Sequence, residues 1–159
     1  MPGGRQRRVC LLKKVDAQLA RQVLAATHDA WSKGDLERML VHFDDDLTYW
    51  CNVGAIDGQP FTIDGKQGLR TLLQSVLSVA ESASKISFFQ FEDGIGRSTV
   101  QAYVRHRRTG HEISGTFRQI VTYRGKRIVK LEEFHEAAKM SAFWRMVTVD
   151  DGDDSYSGE

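Results

Sequence analysis

The sequence predicts an α+β domain in which helices come first and an antiparallel meander comes last. Two observations carry this. Apolar residues recur at helical spacing through most of the first half of the chain. After residue 84 the period changes from 3.6 to 2 and holds through four segments joined by short, glycine-containing turns. Grouped helices followed by hairpin-linked strands make an α+β architecture, with the helices on one face of a curved sheet.

The first helix is predicted over 17–32. Asp16 supplies its N-cap, Leu19, Val23, Ala26 and Ala30 follow the helical repeat, and Gly34 closes it in the left-handed conformation. Asp35 caps a second, short helix with Leu36, Met39, Leu40 and Phe43 on one stripe, ended by the acidic run Asp44–Asp46. The string LTYWCNV (47–53) is rich in aromatic and β-branched residues and reads as a strand. A loop punctuated by Gly54, Gly58, Pro60 and Asp64 follows, then a third helix over 65–80 with Leu69, Leu72, Leu73, Val76 and Leu77 aligned. KISFFQFED, STVQAYVRHRR, EISGTFRQIVTYR and RIVKLEEFHE are the four meander strands, turning at 93–96, 109–110 and 125–126. A last short helix spans 136–146. Both faces of the meander carry apolar side chains, such as Phe88 against Phe89 and Phe91, so the face not covered by helices is expected to pair two copies of the chain.

Composition bounds the function. The chain has 159 residues, the size of one domain. Its net charge of +1 favours neither a polyanion nor a membrane surface. Two cysteines, Cys10 and Cys51, are too few for a disulfide scaffold or a thiolate-rich zinc site. No apolar run reaches the ~18 residues of a membrane span, and the basic start lacks the apolar region of a secretory signal, so a cytoplasmic location is expected. Residues 1–15 read as a basic, disordered arm, 16–147 as the domain and 148–159 as an acidic, disordered tail.

Three strings, AWSKGDLERMLVHFDDDLTYW (30–50), DGKQGLRTLL (64–73) and YRGKRIVKLEEFHEAA (123–138), in this order and spacing, resemble the SnoaL-like and ketosteroid-isomerase-like branch of the nuclear transport factor 2-like superfamily. The resemblance covers about 16–147. It implies a cone: a curved antiparallel sheet wrapped around the N-terminal helices, a cystatin-like α+β barrel with a central pocket, often in homodimers. It implies a small apolar or partly polar ligand and no cofactor.

The resemblance also places residues. It turns Trp50 and Asn52, which share a strand face, inward, as in the superfamily's epoxide hydrolases. It puts Leu131, Glu133 and His135 in the pocket wall, where a carboxylate beside an imidazole can exchange a proton near neutral pH. A structural ion pair is the plainer alternative. Thr27, with Trp31 one turn on, falls where the isomerases keep an oxyanion tyrosine. Cys51 stands in place of their proton-shuttling aspartate and Gln119 in place of their oxyanion aspartic acid. These departures exclude steroid isomerisation by that mechanism. The epoxide hydrolases' Arg-x-Asp pair is also missing, because Tyr103–Val104–Arg105–His106 has no carboxylate. Direct counting through a two-residue Gly125–Lys126 turn sets Arg118 opposite Glu133 and Ile120 opposite Leu131, whereas a bulge, and the resemblance, set Gln119 there.

Other constellations are weaker. His106 and His111 flank a hairpin and read as solvated; no metal site is expected. His28 reads as core or rim. Residues 97–130 hold nine basic side chains and one acid, Glu112, which reads as a solvated sheet edge ahead of an anion or nucleic-acid surface. Three functions follow: a pocket enzyme of lyase, isomerase or cyclase type using Glu133 and His135; a non-catalytic ligand carrier or homodimeric interaction module; and a polyanion binder.

Overall fold

The structure, a computed structural model, describes residues 15–152. The expected arm (1–15) lies outside the described residues but for Val15, and the expected disordered tail (148–159) lies outside them but for 148–152, which are helical. Ten elements follow in order: α1 (Ala17–Ser32), α2 (Leu36–Leu40), β1 (Phe43–Cys51), β2 (Phe61–Asp64), α3 (Lys66–Val79), β3 (Ala80–Glu92), β4 (Ile95–His106), β5 (Glu112–Arg124), β6 (Arg127–Phe134) and α4 (Ala137–Gly152).

The helix starts form for the expected reasons. Asp16 accepts a hydrogen bond from the Leu19 amide at 2.8 Å, and Asp35 accepts one from Arg38 at 3.1 Å. Helix α2 is shorter than its apolar stripe implied. The chain leaves it after Leu40, and Phe43 opens β1, where it is fully buried and pairs with Ile128. The acidic run therefore lies in the strand instead of ending the helix, with Asp44 in an ion pair with Arg124 at 3.8 Å. Where the sequence predicts a loop, β2 forms a four-residue, half-buried edge strand, too short to show a period. Helix α4 runs to Gly152, beyond the expected 146.

The six strands are ordered β2-β1-β6-β5-β4-β3. All neighbours are antiparallel except β1 and β6, which run parallel. The sheet is thus mixed, where an antiparallel one was expected. β1 and β6 are joined by the rest of the domain, so no hairpin fixes their direction. The sheet curves around α1. Tyr123 on β5 donates its hydroxyl to the Ala20 carbonyl at 2.8 Å. Ser32 on α1 donates to the Ser84 carbonyl and accepts from its amide, at 3.1 and 2.9 Å, which stitches the helix to β3. Leu40, Phe43, Leu47 and Ile128 are buried in the core, and Leu24 and Leu69 carry it to the wall of a hollow.

Two bulges set which residues face that hollow. One lies between Ile86 and Phe88 on β3 and swaps the inward parity, so that Phe89 and Phe91 pack inward and Phe88 is left outside, 57% exposed. The second lies between Thr122 and Tyr123 on β5 and sets the register against β6.

Candidate functional site

A cavity of about 240 Å³ lies between the inner sheet face and helices α1, α3 and α4. That is below the ~300–1,000 Å³ typical of ligand sites. Aromatic side chains narrow it: Trp31, Phe61, Phe117 and Trp144 all reach its wall. The rest is mostly aliphatic, with Leu24, Leu69, Leu72, Val76 and Met140 among the lining.

The main polar groups form one connected band. Glu133 on β6 is its centre. Its Oε1 accepts from the Tyr49 hydroxyl at 2.5 Å and its Oε2 from the Gln119 amide nitrogen at 2.7 Å. His135 Nε2 lies 3.6 Å from Oε1. These bonds fix the orientation of everything behind them. A carboxylate only accepts, so Gln119 must turn its NH₂ to Glu133 and its Oε1 away. That oxygen meets His28 Nε2 at 2.9 Å, which makes His28 the Nε2–H tautomer, with Nδ1 accepting from Ser84 Oγ at 2.6 Å. Among the described residues no buried side-chain nitrogen or oxygen lacks a partner.

The charges follow from these contacts. Burial opposes ionisation of Glu133, but His135, Tyr49 and Gln119 outweigh it and hold the carboxyl below its usual value. Burial also opposes charge on His135. Hydrogen bonding to the Cys51 sulfur and to Glu133, with the charge of the carboxylate, overcomes it and pushes the ring up to about 10. The site therefore carries an imidazolium–carboxylate pair at neutral pH. The His135 ring is stacked on Phe117 with centroids 4.3 Å apart. His28 is held neutral: burial lowers it more than Gln119 and Glu133 raise it. Burial and the facing carboxylate push the Tyr49 phenol far up, so it stays a donor.

Six of the eight residues assigned to a site line this cavity: Thr27, Trp31, Gln119, Leu131, Glu133 and His135. The Thr27 hydroxyl donates to the Val23 carbonyl at 2.8 Å and the Trp31 indole to Ser82 Oγ at 2.8 Å, so neither donor is free for a ligand. Trp50 and Asn52 are corrected. Strand alternation turns Tyr49, Cys51 and Val53 into the cavity. Trp50 thus lies on the outer face against Phe134, with ring centroids 5.1 Å apart. Asn52 holds the end of β6 instead, accepting from the His135 amide at 2.8 Å and donating to its carbonyl at 2.9 Å. The resemblance set that pair one residue out of phase, although its match of Cys51 to a pocket position agrees with the alternation.

The disputed register is settled. Gln119 stands opposite Glu133 and Val121 opposite Leu131, because of the bulge at Thr122/Tyr123. Arg118 pairs with Phe134 and does not neutralise Glu133. Sequence reasoning missed Tyr49 and undervalued His28. Strict alternation from Cys51 would have exposed the first; the second needs the α1–β5 contact, which is long-range. His106, read as solvated, is buried and bonded through Nδ1 to Thr109 Oγ1 at 2.9 Å. Among the described residues no group of three or more His, Cys, Asp or Glu is placed to hold a metal ion, and no helix is long and apolar enough to cross a membrane.

No family model and no curated protein matches the sequence. Solved structures match it in shape. A candidate polyketide cyclase from Xanthomonas campestris superimposes with a TM-score of 0.70 at 15% identity, over 80% of this chain and 98% of its own. An LEH-like epoxide hydrolase of M. tuberculosis gives 0.66 at 15% identity, over 84% and 94%. A hypothetical protein from Catenulispora acidiphila with a ketosteroid isomerase-like fold, in complex with trimethylamine, gives 0.67 at 12% identity, over 78% and 92%. At these identities the likeness speaks for architecture alone. The curved mixed sheet, the helices inside its wrap and these superpositions together show that the chain has the SnoaL-like, nuclear transport factor 2-like fold.

Proposed function

We propose that the cavity binds a small, largely apolar molecule and that Glu133 and His135 move a proton on it, in a reaction of the lyase, isomerase or cyclase type. The observation behind this is the His135 imidazole and the Glu133 carboxyl, 3.6 Å apart, on the wall of a mostly apolar cavity. His135 donates its proton to a ligand oxygen. The neutral ring, still oriented by Glu133, then takes a proton from a neighbouring carbon on the same face. One imidazole thus serves as acid and base, which suits tautomerisation of a carbonyl compound. Leu131, Gln119, Thr27 and Trp31 shape the ligand's surroundings.

A non-catalytic carrier is the second reading. It is favoured by the fact that both Glu133 oxygens are already engaged. Solvent-deuterium exchange into cyclohexanone and 2-indanone, followed by NMR, separates the two. The enzyme reading expects accelerated exchange that falls roughly 100-fold in Glu133→Gln and His135→Phe. Binding of 2-indanone, seen as tryptophan quenching, without exchange favours the carrier. Neither signal would end both readings.

We further infer a homodimer through the outer sheet face, where Phe88, Phe134 and Trp50 are presented. Sedimentation of the wild type against Phe88→Lys/Phe134→Lys tests it; a monomeric wild type refutes it. The polyanion reading is weakened by pairing: Arg105 and Arg107 reach Glu81, Arg124 reaches Asp44 and Lys130 reaches Glu132.

A further inference from the structure

Cys51 has no part in the proton transfer above, yet it stands beside it. Its side chain lines the cavity. In the parallel β1–β6 register it is the direct partner of Glu133, and Glu133 and His135 line the same cavity. The sulfur also contacts the Val53 carbonyl at 3.4 Å, which fixes the side-chain rotamer. His135 is in turn immobilised by its stack on Phe117 and by Asn52, which grips its backbone from both sides. A thiol and an imidazole held by a carboxylate on one cavity wall put a nucleophile and a proton donor within reach of one ligand.

We propose that Cys51 captures apolar α,β-unsaturated carbonyl compounds by adding its thiol to them. The inference rests on the cavity reading above and names a ligand class for it. An apolar, narrow cavity admits an uncharged molecule about the size of one ring or a short chain. Sulfur is a soft nucleophile that matches a conjugated carbon. The carbonyl oxygen needs a proton donor, which His135 provides. In the step, sulfur forms a bond to the β-carbon and the π pair of the double bond moves to the carbonyl oxygen as an enolate. His135 gives its proton to the enolate and recovers one from the thiol. The enol then returns to the ketone with that hydrogen on the α-carbon. The net change is addition of S–H across the double bond, with nothing oxidised or reduced.

The test uses the full chain and 2-cyclohexen-1-one at pH 7, read by intact mass and peptide mapping, since Cys10 is a second possible target. The expected result is a single adduct on Cys51, forming roughly tenfold faster in the folded protein than in denaturing urea, because cavity and acid are preorganised. His135→Phe, checked for folding by circular dichroism, should slow it by a similar factor. An adduct on Cys10 alone, or Cys51 reacting no faster when folded than unfolded, overturns the proposal without recourse to any variant. An unchanged rate in folded His135→Phe overturns it too. Tryptophan quenching by 2-indanone on the same wild-type sample separates the failures. Quenching without an adduct removes only the capture step, whereas absence of both removes the cavity reading as well.

Discussion

Tyr49→Phe deletes one oxygen atom and tests whether the Glu133 carboxylate depends on its donors. The ring stays: it packs against Phe61 at 5.9 Å between centroids, and phenylalanine keeps that contact. What goes is the 2.5 Å bond to Glu133 Oε1. A buried hydrogen bond to a charged group is worth about 1.5–3 kcal/mol, and the orphaned lone pair faces an apolar wall where water does not replace the lost partner. Against this stands the smaller cost of burying a phenol oxygen, which the variant no longer bears. The net expectation is a loss of about 2 kcal/mol at pH 7, or roughly 4–8 °C in Tm for a domain of this size. Urea titration should show a lower midpoint at an unchanged slope. The loss should shrink once the pH falls below the Glu133 value, because a protonated carboxyl no longer needs a third donor. A loss under about 0.5 kcal/mol at pH 7, or an equal loss at pH 7 and at acid pH, refutes the view that the carboxylate is held ionised by these bonds.

Three further outcomes follow. His135 titrates at about 10 in the fold against 6.5 in the unfolded chain. A raised folded value means its stabilisation is complete below about 6.5 and is lost as pH rises towards 10, so urea midpoints should decline across that window and His135→Phe should flatten the decline. Asn52→Ala removes both bonds to the His135 backbone and should cost about 1–3 kcal/mol by thermal melting, while loosening the ring and lowering its NMR-observed pKa. Gly96→Ala puts a Cβ 2.8 Å from the Phe89 ring and should destabilise by about 1–3 kcal/mol, partly recovered by adding Phe89→Leu.

Much of the architecture was readable because it is local. Asp16 and Asp35 announce their helices, and Asp93–Gly94, both at positive φ, makes a two-residue hairpin that the Asp-Gly dipeptide signals. What was not readable depends on partners far along the chain. β1 runs parallel to β6, a relation between distant segments that no local pattern encodes. The two bulges are single-residue events that leave composition untouched but invert the facing of Phe88 and move Gln119, and not Arg118, opposite Glu133. Trp50 misled for a related reason: an aromatic residue on a strand suits a core and an outer face equally well, and only the phase set by Tyr49 and Cys51 decides.

The departures from the isomerase pattern gain a physical meaning once the register is known. Thr27, Cys51 and Gln119, which the resemblance matches to the three positions of that chemistry, all line the cavity. The only carboxylate in the hydrogen-bonded band sits instead on β6, adjacent in register to both Cys51 and Gln119. The neighbouring residues fit the carboxylate there. A glutamine at 119 bonds the carboxylate without adding a second negative charge, whereas an aspartate or glutamate would force the two acids to share a proton. A cysteine at 51 likewise places no second carboxylate beside Glu133. Glu133→Gln is therefore the substitution that should cripple the site: with the carboxylate gone, burial should bring His135 down towards its ordinary range and abolish the alkaline loss of stability. Retention of that alkaline loss in Glu133→Gln would show that His135 owes its charge to something other than the Glu133 carboxylate.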